Sequence, residues 1–86
     1  MKTTTKVAHP IMDISIFLRE NTYLIKIVLN QYEQIYRVKQ LDVTSIDDVK
    51  KMLDEDFLNK TYMRFVEMSK DFKASFNNIN KIQNEQ

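Results

Sequence analysis

Not one of the 86 residues is glycine, where average usage of about 7% would supply about six. A fold built from this chain must therefore make every tight turn with residues that carry a Cβ. Left-handed backbone falls to residues such as Asn, whose short polar side chain tolerates it. The same absence removes functions. Loops that cradle phosphate or a dinucleotide need glycine so that backbone amides can approach the anion closely, which argues against a nucleotide-binding enzyme. Cysteine is also absent and His9 is the single histidine. Thiol nucleophiles, cysteine-based zinc sites and paired imidazoles are thereby excluded.

A chain of this length makes one domain and buries roughly 60–65% of its unfolded surface without disulfides or metal. Nine aromatics, five Phe and four Tyr, argue against intrinsic disorder. The net charge of +1 provides no overall field toward nucleic acid or an anionic membrane. Its distribution is uneven. Residues 1–41 carry six Lys or Arg against three acids, and residues 42–86 carry seven against nine. No apolar run approaches the about 20 residues that span a bilayer, and the basic start lacks a signal-peptide core, so a cytoplasmic protein without a membrane partner is expected. Richness in Lys, Ile and Asn fits an AT-rich genome such as that of a phage or mobile element.

Residues 1–10 are polar and read as a loose N-terminal arm ending in His9-Pro10, where proline favours extended backbone before it. From Met12 the pattern alternates. Met12, Ile14, Ile16 and Leu18 share one face of a strand, opposite Asp13, Ser15, Phe17 and Arg19. Glu20-Asn21-Thr22 is a turn in which Asn21 takes the left-handed conformation. Tyr23, Ile25, Ile27 and Leu29 then alternate with Leu24, Lys26, Val28 and Asn30, and the β-branched density marks a strand. A third strand runs from Tyr32 to Leu41 after a weakly marked turn at Asn30-Gln31. Tyr36 and Val38 lie on one of its faces, and Ile35, Arg37 and Lys39 on the other.

The period then changes from two to 3.6. Ser45 or Thr44 is a natural N-cap, with Asp47 and Asp48 placed to meet the orphan amides of the first turn. Ile46, Val49, Leu53 and Phe57 form one helical face. A break is expected at Asp54-Glu55-Asp56, with Asp56 capping a second helix. Leu58, Tyr62, Phe65, Ser69, Phe72, Phe76 and Ile79 follow at spacings of four and three. They make a stripe of about 22 residues, about 33 Å long, against about 26 Å for an eight-residue strand. The stripe reads as core whose distal part, Phe72, Phe76 and Ile79, overhangs the sheet and meets a partner protein or a second copy.

The expected fold is α+β: a three-stranded antiparallel meander from Met12 to Leu41, packed on one face by a helical C-terminal half of one short and one long helix. The arm covers residues 1–10, the single domain 11–82, and a frayed tail 83–86. The acidic segment 42–56 lacks the alternating ligands and central glycine of a calcium loop and reads as helix capping and solvated surface. His9, in a polar arm, lacks the rigid shell a catalytic base requires. No catalytic residue, metal or cofactor is assigned. The functional reading is a small non-enzymatic protein-binding module, an inhibitor or regulator of a host protein, with homodimerisation as a further way to use the stripe. The alternative is nucleic-acid binding by Arg19, Lys26, Arg37 and Lys39 on the outer sheet face, with Phe17, Val28 and a tyrosine between them.

Overall fold

The structure, a computed structural model, describes the backbone of residues 3–84 and the side chains of residues 4–79. It is α+β: an antiparallel sheet in the order β1-β2-β3-β4, followed by two helices. The strands are β1 (Thr3–Val7), β2 (Asp13–Arg19), β3 (Thr22–Leu29) and β4 (Tyr32–Lys39). The expected meander had three strands. The fourth comes from Thr3–Val7, read from sequence as part of the arm, which pairs with β2 from Thr3 opposite Leu18 to Val7 opposite Ile14. Its polar TTTKV sequence carries little alternation, and main-chain pairing with a neighbour is what defines it as a strand.

Strand β3 follows the alternation, whereas in β2 Ser15, on the face opposite Ile14 and Ile16, is buried as well. Ile14 stands opposite Ile27 and Ile16 opposite Ile25, and all four are buried. Two-residue turns set this register. Arg19 pairs with Thr22 across Glu20-Asn21, whose φ angles are 49° and 65°. Positive φ at both central residues is the signature of a type I′ turn, whose twist matches that of the strands. Asn21 therefore does what glycine does elsewhere, and Glu20 is drawn into the same region at a cost of about 1–2 kcal/mol. Leu29 pairs with Tyr32 across Asn30-Gln31, where only Asn30 takes positive φ, at 57°.

The turn between β1 and β2 contains His9. Its Nδ1 accepts hydrogen bonds from the amides of Ile11 at 3.1 Å and Met12 at 3.0 Å, so the ring proton sits on Nε2. These contacts give the imidazole a structural role. The third strand ends earlier than expected, at Lys39, because Gln40–Asp42 turns as a short 3₁₀ helix.

Helix α1 (Ile46–Met52) starts at Ser45, whose Oγ accepts from the Asp47 amide at 3.2 Å. Asp48 reaches back to Thr44, accepting from its hydroxyl at 2.6 Å and its amide at 2.8 Å. These bonds, the hydroxyl first, hold the Asp48 carboxyl below its usual value of 3.8. The break before the second helix is present, but its cap is Asp54 and not Asp56: Asp54 Oδ1 accepts from the Phe57 amide at 2.8 Å. Asp56 instead pairs with Lys60 one turn on, at 3.1 Å.

Helix α2 (Glu55–Asn84) is longer than the stripe that announced it. Residues 83–84 of the expected tail belong to it, and residues 85–86 lie outside the described residues. One core cluster joins Met12, Ile14, Ile16, Tyr23, Ile25 and Ile27 of the β half to Val49, Leu53, Leu58 and Phe65 of the helices.

Candidate protein-interaction surface

Helix α2 begins as a core element. Leu58 and Phe65 are buried, as the stripe requires. Between them the stripe is corrected: Tyr62 is 38% exposed, while Thr61, one residue earlier, is fully buried. The Thr61 hydroxyl donates to the Phe57 carbonyl at 2.9 Å, so burying it leaves no polar group unsatisfied. Its carbonyl accepts from Gln34 Nε2 of β4 at 3.0 Å, and Gln34 Oε1 in turn accepts from the Tyr36 hydroxyl at 3.1 Å. The rings of Tyr36 and Phe57 meet edge to face with centroids 5.4 Å apart.

Burial then ends while the helix continues. Every residue from 70 to 79 is exposed, although the apolar spacing is unchanged. Thirty residues of helix reach about 45 Å, whereas the eight residues of β3 or β4 cover about 27 Å. The molecule measures 58 × 27 × 20 Å. Its radius of gyration of 16.9 Å exceeds the about 12 Å of a compact domain of this length.

Phe72, Phe76 and Ile79 lie on this exposed segment, 51%, 52% and 56% accessible. Tyr32, at the start of β4, meets Phe72 edge to face at 6.2 Å, and Phe72 meets Phe76 in a near-parallel stack at 6.3 Å. The aromatic line thus runs continuously from the sheet onto the projecting helix. Tyr32, Phe72, Lys73 and Phe76 line an open groove of about 510 Å³, with Asn30 and Gln31 of the turn on its other wall. Ser69 and Asn77 complete a lining that mixes three aromatic rings with amide, hydroxyl and lysine groups.

The four basic residues of the alternative share a sheet face. Cross-strand pairing sets Arg19 beside Thr22 and Lys39, Phe17 beside Leu24 and Arg37, and Ser15 beside Lys26 and Ile35, all opposite the buried isoleucines. The structure divides them. Lys26 pairs with Glu33 at 3.4 Å, and Lys6 on the same face pairs with Asp13 at 3.4 Å. Among the described residues, Arg19, Arg37 and Lys39 have no ion-pair partner. Arg19 and Arg37 flank a depression of about 270 Å³ with Glu20, Thr22 and Leu24. No tyrosine joins them, because Tyr23, Tyr32 and Tyr36 register with the core face.

Among the described residues, no group of three or more His, Asp or Glu side chains is placed to hold a metal ion. No helix among them is long and apolar enough to cross a membrane. No protein-family model matches the chain, no curated protein matches it in sequence, and no solved structure matches it in fold.

Proposed function

We propose that this chain is a small non-enzymatic protein-binding module, with the helical half covering the core face of the sheet and the projecting end of α2 docking on another protein. The observation that carries the reading is the run Phe72, Phe76, Ile79: three large apolar side chains, each more than half exposed, on one side of a helix that has left its own core. Spacings of four and three residues are those by which an amphipathic helix lays its anchors into an apolar groove. With about 100 Å² of exposed area each, these residues offer about 7 kcal/mol of gross burial energy to a partner, before the costs of association. A phage or mobile-element inhibitor or regulator of a host protein fits the size and composition.

The test pairs wild type with a Phe72→Ala, Phe76→Ala, Ile79→Ala variant. Because all three side chains are exposed, the variant keeps its circular dichroism and cooperative melt. Affinity purification from the native host should recover one stoichiometric protein with wild type and lose it with the variant, and the purified pair should reproduce the difference. A partner retained by the variant would overturn the assignment of the surface. Deleting residues 75–86 should likewise leave a folded domain that no longer binds.

A second reading rests on the convergence of Arg19, Arg37 and Lys39, without ion-pair partners among the described residues, at one end of the outer sheet face. Such a cluster would hold the phosphates of a single-stranded nucleic acid. Phe17 is the one aromatic on that face able to stack a base, which ranks this reading below the first.

A further inference from the structure

The sheet order leaves β4 as an edge strand of eight residues, without proline and paired to β3 with no bulge. Its hydrogen-bonding phase is readable. The Gln40 amide donates to the Asn21 carbonyl at 2.9 Å, which makes Asn21 and Gln40 a hydrogen-bonded pair. Such pairs recur at every second residue of an antiparallel ladder. Val38, Tyr36, Gln34 and Tyr32 therefore bond to β3, and Glu33, Ile35, Arg37 and Lys39 direct their amides and carbonyls outward. Lys39 caps the 3₁₀ turn, and among the described residues no other part of the chain bonds to the outward groups of Glu33, Ile35 and Arg37.

An unprotected edge of this kind templates another strand. Lysine and arginine usually guard edges by repelling a second copy, but β4 carries Glu33 four residues before Arg37, with Ile35 midway between. In an antiparallel pair centred on Ile35, each Glu33 lies directly opposite the partner's Arg37, and the two Ile35 side chains face each other. Ile35 is 46% exposed in the single chain. The residues brought opposite one another are also those whose main-chain groups point outward, so each pair closes two hydrogen bonds. Shifting the centre to Tyr36 would set each Ile35 against a guanidinium and exchange the Glu33–Arg37 pairs for Glu33–Lys39 pairs, so the apolar contact at Ile35 is what favours the first register.

We infer that β4 is a self-recognition edge: two copies join β4 to β4 in antiparallel register about a two-fold axis at Ile35, forming one continuous eight-stranded sheet. Tyr32 at the start of β4 lines the α2 groove, but Glu33, Ile35 and Arg37 do not, so changes at these three residues test the dimer separately from the proposed partner site.

Sedimentation equilibrium of the full chain over the micromolar range tests it, together with amide hydrogen exchange. Wild type should dimerise, and the Glu33, Ile35 and Arg37 amides should gain protection as concentration rises. Glu33→Arg or Arg37→Glu alone sets like charges opposite each other and should weaken association about tenfold, whereas the two together should restore it. Ile35→Pro removes an outward donor without touching the ladder to β3, and should leave a folded monomer. Circular dichroism of each variant separates loss of pairing from loss of fold. A monomer across the whole range overturns the inference. So does a dimer that ignores the charge changes, or one dissolved by the Phe72→Ala, Phe76→Ala, Ile79→Ala variant.

Discussion

Replacing Ile27 by alanine tests the arrangement on which both surfaces depend. Ile27 is fully buried on β3, the strand flanked by β2 and β4, and it lies between Ile14 and Gln34. The change removes three carbons, at about 0.8 kcal/mol each, and leaves a cavity in a part of the sheet held on both sides. The expected loss is about 3 kcal/mol. For a domain of this size that lowers Tm by roughly 12–24 °C. Lys26 is the adjacent residue on the same strand, facing outward and paired with Glu33 at 3.4 Å with both side chains well solvated. Lys26→Ala should cost about 0.5 kcal/mol, a shift of only a few degrees. Differential scanning calorimetry of the two variants beside wild type reads the contrast directly. Equal losses would refute the reasoning, because they would mean that β3 is buried on both faces or that its register is displaced by one residue.

Asp48 makes the start of α1 sensitive to acid. Its folded-state value lies below 3.8, so its contribution is complete above the unfolded value and is lost as pH falls through the lower folded one. Asp48→Asn should therefore loosen α1 at neutral pH, and wild type and variant should converge once pH is well below 3.8, as followed by helical circular dichroism. Glu20→Asn should raise stability by a few tenths of a kcal/mol to about 1 kcal/mol, because Asn is the better tenant of positive φ, while Asn21→Val should lower it by about 1–2 kcal/mol in the same melt. Wild type should show no useful binding to a single-stranded oligonucleotide in fluorescence anisotropy near physiological salt. Tight, salt-sensitive binding lost on Arg37→Ala with Lys39→Ala would promote the second reading over the first.

Local chemistry was legible in the sequence wherever the signal has a short period. Alternation from Met12 and Tyr23 placed Ile14, Ile16, Ile25 and Ile27 on one face, because successive side chains of a strand point to opposite sides whatever lies beyond them. Asn21 in the left-handed region and Ser45 at the helix cap were readable for the same reason: each answers a need of the neighbouring backbone. That the last helix is longer than the strands was readable from the length of the stripe, since rise per residue differs between helix and strand.

Contacts distant in sequence were decided only in three dimensions. Thr3–Val7 has almost no apolar pattern and becomes a strand through its pairing with β2. Thr61 looks polar and Tyr62 apolar, yet Thr61 is buried, because its hydroxyl finds a carbonyl within its own helix and Gln34 comes from another element to meet its main chain. The stripe from Leu58 to Ile79 is uniform as a sequence, and nothing in its spacing separates Phe65, which is buried, from Phe72, which is not. That boundary exists because a helix can extend as long as its residues favour it, while burial requires a surface opposite, and residues 70–79 have none that covers them among the described residues.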